Sequence, residues 1–236
     1  MRLGLFIPCF VDLSFPNVGI ATVRLLEHLG FDLEFPPAQT CCGQPHFNAG
    51  HLQEARALAL RFCEIFSPYD AIVSPSGSCV AMVRNHYPAL VGEQDVCART
   101  FELSEFLVRQ RGFLDLGARL PGRAALHIGC HALRELRIDH DVRTLLSHVA
   151  GLELVDVSSQ QWCCGFGGTF SVKFPEISTA MGDRKLQPIL DADVDYLIST
   201  DSSCLLHLQG MLDRKKLSRP KPMHLAEVLA TCVEAT

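Results

Sequence analysis

Two pairs of adjacent cysteines stand out because each pair is followed at once by glycine. The segments 41–43 and 163–165 both read Cys-Cys-Gly. Neighbouring side chains in an extended strand point to opposite faces, so two adjacent thiols reach one site only where the backbone turns. Glycine permits such a turn because it lacks a Cβ atom. Thiolates are the ligands preferred by zinc and iron–sulfur clusters, so the pairs indicate metal or redox chemistry.

The pairs belong to a repeat that runs through the whole chain. The first half reads C-x31-C-C-x36-C and the second reads C-x32-C-C-x39-C. The segment LSEFL at 103–107 also returns as LAEVL at 225–229, an offset of 122 residues that the cysteine pairs share. We therefore expect two homologous domains, residues 1–117 and 118–236, each with four thiols that can converge on one centre. The repeated cysteines are Cys9, Cys41, Cys42 and Cys79, and then Cys130, Cys163, Cys164 and Cys204.

The hydrophobic pattern between the cysteines indicates the elements that position them. Apolar runs of strand length, such as residues 2–10 and 70–74, alternate with helical patterns such as 18–30 and 51–66. The second half repeats this order after a glycine-rich connection at 111–123. We expect an α/β fold of two pseudo-repeated domains, each a mostly parallel sheet flanked by helices. The cysteines would lie at the carboxyl ends of strands, where such sheets collect ligands.

Composition narrows the possible partners and the cellular compartment. The net charge of -5 and the lack of a basic run argue against nucleic acid. The amino terminus reads as a strand and not as a signal peptide, and no apolar run approaches the roughly 20 residues that cross a bilayer. We therefore expect a cytoplasmic protein without direct membrane insertion. Thiols stay reduced in that compartment, so 11 cysteines favour metal or redox chemistry over a disulfide framework.

Several motifs together resemble a known family. CCGQP, SPSGSC, HIGCH, CCGFGGTFSVK, DSSC and HLAEVL are similar to the CCG domain of iron–sulfur oxidoreductases, which occurs in tandem in the heterodisulfide reductases. The chain is most similar to the L-lactate utilisation protein A group, also called lactate oxidation iron–sulfur subunits. This resemblance implies that the eight repeated cysteines are cluster ligands, with at most one cluster per half, of the 4Fe–4S type. It also implies an oxidoreductase subunit that oxidises L-lactate to pyruvate together with partner subunits.

The sequence departs from the five-cysteine form of this domain at one position in each half. That form closes with C-x-x-C, whereas Ser76 and Asp201 stand where the first of these cysteines would be. Four thiolates suffice for a four-iron cubane, but a non-cubane cluster would need another donor. Asp201 could supply an oxygen ligand, or it could cap the helix that begins at SSCLLHL. We favour the cap.

Three histidines are further candidates. His127 and His131 flank Cys130, and as candidate catalytic residues they could hydrogen-bond cluster sulfide, carry protons or replace a ligand. A structural role for a histidine on a strand is an equal alternative. His224 begins the HLAEVL helix, where a packing or capping role is expected.

The remaining cysteines and two rival functions complete the sequence-based interpretation. Cys63 and Cys232 fall on the apolar stripes of their predicted helices, and Cys97 has no counterpart in the repeat. All three are expected to be small buried residues. A heterodisulfide-reductase-like enzyme, or an oxidoreductase for another hydroxy acid, would keep the clusters and change the substrate. A zinc-binding or metal-free scaffold module would keep the cysteine pockets without redox chemistry.

Overall fold

The computed structural model describes residues 1–159 and 161–234 and contains two four-stranded sheets. The strands are β1 Leu3–Leu5, β2 Leu33–Glu34, β3 Ala71–Ser74, β4 Thr100–Glu102, β5 Arg119–His127, β6 Ala150–Val155, β7 Tyr196–Ser199 and β8 Lys221–His224. Their order is β2-β1-β3-β4 in one sheet and β6-β5-β7-β8 in the other, so the second sheet repeats the first. Every described strand pair is parallel. The predicted α/β class and its duplication are confirmed.

Helices and short helical turns connect the strands, as parallel pairing requires. The helices of the first half are α1 Cys9–Ser14, α2 Pro16–His28, α3 Gln44–Asn48, α4 Leu52–Phe66, α5 Gly77–Ala81, α6 Tyr87–Val91, α7 Asp95–Ala98 and α8 Leu103–Glu105. Those of the second half are α9 Asp139–Ser147, α10 Thr169–Lys173, α11 Pro175–Asp191, α12 Ser202–Arg214, α13 Leu225–Leu229 and α14 Thr231–Glu234. Single π-helical turns occupy Met82–His86, Phe106–Gln110 and Ala132–Leu136.

The hydrophobic core joins the two halves. One cluster of buried residues contains Leu25 from α2 and Val73 from β3, and also Leu126 from β5 and Leu225 from α13. Two smaller clusters lie within the first and the second half respectively. Because the halves share the central cluster, burial of apolar surface holds the two sheets in one fixed relation. The boundary at 117/118 remains a prediction, and the predicted connection at 111–123 is too long, since β5 begins at Arg119.

Candidate metal centre

A single cleft between the two halves is lined by all eight repeated cysteines. It has a volume of about 870 Å³, part of which is open solvent. The cysteines arrive there because each follows a strand or a turn at the same edge of its sheet, as the sequence predicted. All 11 cysteines of the chain are free thiols.

The first quartet forms a continuous chain of sulfur contacts. The Sγ atoms of Cys9 and Cys41 are 3.7 Å apart, and Cys42 is hydrogen-bonded to both Cys41 and Cys79. Hydrogen bonds from Cys42 and Cys9 lower the pKa of the Cys41 thiol well below its ordinary value. The quartet therefore favours the thiolate form of Cys41, and the thiolate is the form of cysteine that binds metal.

The second quartet has the same connectivity. Cys164 and Cys204 have their Sγ atoms 3.2 Å apart, and Cys163 is hydrogen-bonded to Cys130 and Cys164. Those bonds lower the pKa of the Cys163 thiol, while its sulfur neighbours and burial raise the pKa of Cys164. In both halves the pKa is lowered for the first cysteine of the adjacent pair and raised for the second.

The glycine after each pair makes the turn that the sequence predicted. Gly43 has φ of 84° and Gly165 has φ of 92°, in the left-handed region that glycine tolerates best. Each glycine N–H donates to the sulfur of the first cysteine of its pair, at 3.4 Å in both halves. Amide donors of this kind stabilise negative charge on sulfur and raise the potential of a bound cluster.

Three of the four cysteines outside the pairs lie at the amino-terminal ends of helices. Cys9 is the first residue of α1, and Cys79 and Cys204 are the third residues of α5 and α12. The partial positive charge at a helix amino terminus stabilises thiolates within the first turn. The strands themselves end several residues earlier, so the cysteines lie just beyond the strands.

Ser76 and Asp201, which stand in place of the two absent cysteines, are hydrogen-bonded to each other. The Ser76 Oγ donates to Asp201 Oδ1 at 3.2 Å. Ser76 caps α5 by accepting a hydrogen bond from the Cys79 N–H. Asp201 stands before α12 as predicted, but its side chain does not cap that helix. Its Oδ1 atom instead accepts bonds from the Ser78 N–H at 3.2 Å and from the Ser78 Oγ at 2.6 Å, in the other half. The prediction that the Asp201 side chain caps α12 is thus wrong, because the carboxylate binds Ser78 of α5 instead.

Two buried side chains beside the second quartet, His127 and Lys185, have no counterpart of the same type in the first half. The His127 ring is fully buried, and one of its nitrogens lies within 4.8 Å of the Cys164 and Cys204 sulfurs. Both ring nitrogens lack a hydrogen-bond partner among the described residues. Burial lowers the pKa of His127 to about 3, so the ring is neutral. Three residues before Cys9, the counterpart of His127 is Phe6.

Lys185 is also fully buried beside the second quartet. Its Nζ donates to the Ser159 carbonyl at 2.6 Å. Burial lowers the pKa of Lys185 to about 8, while the nearby sulfurs of Cys164 and Cys204 act in the opposite direction. The ammonium form therefore remains at neutral pH. The residue 122 positions earlier is Cys63, so the first half has no cation at this position.

His131 lines the cleft but bonds away from the sulfurs. Its Nδ1 atom lies 2.5 Å from Glu135 Oε1. The other oxygen of Glu135 lies 3.1 Å from His86 Nε2, which comes from the first half. The spacing of His131 and Glu135 on a helical turn is readable from the sequence, whereas the contribution of His86 is not.

The other singled-out residues have structural roles. His224 Nδ1 accepts from the Ala226 N–H, and Glu227 completes a capping box at the start of α13, which confirms the capping role. Cys97 and Cys232 are buried as expected. Cys63 is only half-buried and hydrogen-bonds Cys97, a pairing that the sequence does not indicate.

Comparison with known proteins places this duplicated site in a family. Residues 3–84 and 124–209 each match the CCG cysteine-rich domain. The chain belongs to the CCG cysteine-rich domain family. The two matched ranges contain all eight repeated cysteines, so the CCG domain coincides with the two halves of the cleft.

Full-length relatives of this CCG protein have a common name. Lactate utilization protein A of Geobacillus thermodenitrificans is 44% identical over 97% of the chain and 98% of the relative. Lactate utilization protein A of Bacillus subtilis is 42% identical over 97% of the chain and 99% of the relative. The resemblance inferred from the motifs is confirmed.

A solved structure supports the fold alone. A hypothetical protein from Helicobacter pylori aligns over 98% of the chain and 48% of its own length, with a TM-score of 0.64 and 12% identity. Among the residues that the structure describes, the helices of this CCG protein are too short or too polar to traverse a bilayer.

Proposed function

We propose that each half of the cleft binds one iron–sulfur cluster and that the protein is an electron-transfer subunit of a complex that oxidises L-lactate to pyruvate. The observation that carries this proposal is the convergence of both thiol quartets on one cleft. The names of the relatives support the lactate pathway, and the CCG domains support the redox centre.

The donor set fits the proposed clusters. Four thiols per half match the four cysteine ligands of a cubane cluster. The ligands would be the eight repeated cysteines, four from each half. When bound, a cluster accepts and donates single electrons, which suits the two-electron oxidation of a hydroxy acid in two steps.

The surrounding residues would orient the ligands and adjust the charge. The Gly43 and Gly165 amides would donate to thiolates, and the helix amino termini would stabilise their negative charge. We propose that His127 donates a hydrogen bond toward the second cluster, because both of its ring nitrogens are unpartnered and buried. His131, at the cleft wall, remains a proposed proton carrier or replacement ligand of the cluster.

Anaerobic purification followed by iron and acid-labile sulfide counting tests the cluster. The expected result is a brown protein with iron and sulfide in equal amounts and an electron paramagnetic resonance (EPR) signal after reduction. A colourless protein that binds zinc and no sulfide would support the scaffold alternative and overturn the redox function.

The substrate needs a second experiment. The chain is combined with its partner subunits, and reduction of the clusters by L-lactate is compared with reduction by other hydroxy acids and by thiols and disulfides. Preferential reduction by L-lactate is expected. Preference for a disulfide couple would instead support a heterodisulfide-reductase-like function.

A further inference from the structure

A cluster of two imidazoles and one carboxylate lies where the two halves meet, at the edge of the cysteine cleft. His86 belongs to the π-helical turn after α5, while His131 and Glu135 belong to the second half. One potential ligand atom from each of the three residues lies within 4.8 Å of the other two. The two histidines contact opposite oxygens of Glu135, at 3.1 Å for His86 and 2.5 Å for His131.

Neighbouring side chains hold this cluster in position. The Phe47 ring packs against the His86 ring with centroids 4.9 Å apart. Asn85 Nδ2 donates to the same Glu135 oxygen that His86 contacts, at 3.1 Å. The side chains of the three candidate ligands remain 28–30% exposed, so an ion can reach them from solvent.

We propose that His86, His131 and Glu135 bind a divalent transition-metal ion, for which Zn²⁺ is the probe. Two imidazoles and one carboxylate are a ligand set that zinc and ferrous iron share. Ligand atoms about 2.0–2.2 Å from a common ion lie roughly 3–3.5 Å from one another. The His86–Glu135 distance of 3.1 Å already has that spacing, whereas His131, at 2.5 Å from Glu135, must move slightly away from the carboxylate. Because all three ligand atoms lie within 4.8 Å of one another, side-chain rotations can bring them to one ion.

Such an ion would differ from the proposed clusters in chemistry and in position. None of its three protein ligands is a thiol, and three ligands leave a coordination position for water or an oxygen-containing ligand. Because His131 also lines the cysteine cleft, the ion would lie at the edge of that cleft. Because the ligands come from both halves, the ion would also link the halves. This inference does not depend on the proposed clusters.

Zinc stoichiometry tests the site in the intact protein. Anaerobically purified protein with its clusters is treated with a chelator, equilibrated with micromolar Zn²⁺ and analysed for zinc and iron. The wild type is expected to bind about one zinc per chain more than Glu135→Gln and His86→Gln, with equal iron in all three. His148→Gln, which changes an exposed histidine of the second half, is the matched control and should bind zinc like the wild type.

X-ray absorption at the zinc edge gives a second readout that needs no variant. Nitrogen and oxygen ligands at about 2.0–2.1 Å are expected, whereas thiolate ligands would lie at about 2.3 Å. Zinc bound by sulfur, or equal zinc in the wild type and both ligand variants, would overturn the proposal. His86, Glu135 and His131 would then form only a hydrogen-bonded link between the halves. The iron and sulfide counts are measured separately, so neither outcome bears on the proposed clusters.

Discussion

Asp201 Oδ1 accepts a hydrogen bond from Ser78 Oγ at 2.6 Å, and this bond joins the two halves of the molecule beside both thiol quartets. The same oxygen accepts from the Ser78 N–H and from Ser76 Oγ, so one carboxylate orders the start of α5. Asp201 replaces a cysteine of the five-cysteine motif. The residue at this position therefore forms hydrogen bonds between the halves.

Replacement of Asp201 by alanine is expected to destabilise the protein by about 1–3 kcal/mol, because the buried Ser76 and the half-buried Ser78 lose their acceptor. Asp201→Asn retains an acceptor oxygen and should cost less. Thermal unfolding under anaerobic conditions measures both effects. A double-mutant cycle with Ser78→Ala isolates the contact, and additive effects of the two alanine substitutions would contradict it.

Gly165→Ala is expected to disrupt the second quartet selectively. A Cβ atom on Gly165 would lie 2.4 Å from the Ser178 carbonyl oxygen, and the residue has φ of 92°. The backbone must move there, and the amide bond to Cys163 Sγ moves with it. Iron bound per chain should fall by about half relative to the wild type, since only one of two proposed sites is affected.

Gly30→Ala separates the steric clash from the general cost of a left-handed conformation. Gly30 has a similar φ of 82°, but a Cβ atom there would meet nothing within 4 Å. This control should lose roughly 1–2 kcal/mol of stability and keep its full iron content. Equal iron in Gly165→Ala and Gly30→Ala would show that the turn at 163–165 does not position ligands.

The repeat made much of the site predictable. The cysteine offset and the alternation of apolar runs are local features of the chain, and together they predict two parallel sheets and two converging quartets. Strands β4 and β8 escape this prediction because TFE and KPMH are short segments with one large apolar residue each, too few to form an apolar run of strand length. Helical spacing within 51–66 predicts one buried stripe formed by Leu52, Ala55, Ala59, Phe62, Cys63 and Phe66. Leu52 is instead 52% exposed, and it is the first residue of α4.

Contacts between the halves could not be predicted in the same way. Ser78 and Asp201 are 123 residues apart, and His86 and Glu135 are 49 residues apart. Such pairs depend on how two sheets pack through their shared core, which no periodicity within one half specifies. The polar surroundings of the second quartet also depend on packing, since Lys185 lies on a helix whose sequence gives no sign of burial.

Two equivalent helix caps should give opposite pH dependences. Glu102 and His224 are 122 residues apart and cap α8 and α13 respectively. Burial raises the pKa of Glu102 to about 8, so the native state binds a proton that the unfolded state releases, and stability falls as pH rises from about 4.5 to 8. Burial lowers the pKa of His224 to about 4, so the unfolded state binds the extra proton, and stability falls as pH decreases from about 6.5 to 4.

Single substitutions should reveal each slope. Glu102→Gln and His224→Asn keep a capping acceptor and remove the titration. We compare the stability of each variant with that of the wild type as pH rises from 5 to 6.5. His224→Asn lacks the contribution that grows with pH, so its stability should fall relative to the wild type. Glu102→Gln lacks the contribution that shrinks with pH, so its stability should rise relative to the wild type, each change being at most about 1.4 kcal/mol per pH unit. Unfolding midpoints at both pH values measure this. Parallel pH profiles in all three proteins would contradict the assignment, and His148→Gln is the control.

The two proposed clusters should differ in reduction potential because the buried Lys185 ammonium lies beside the second, while no lysine or arginine is buried beside the first among the residues that the structure describes. The Lys185 ammonium stabilises added negative charge, and a reduced cluster carries one more electron than its oxidised form. Lys185→Met keeps the length of the side chain and removes the charge. The second cluster should then become harder to reduce, while the first keeps its potential.

An anaerobic redox titration followed by EPR measures both potentials in one sample. Iron counting verifies that Lys185→Met retains its clusters, and Lys215→Met, which removes a surface lysine paired with Asp183, is the matched control. The control should titrate like the wild type. A shift of both clusters together would indicate a general structural change, and unchanged potentials in Lys185→Met would show that the buried ammonium is neutralised by its surroundings.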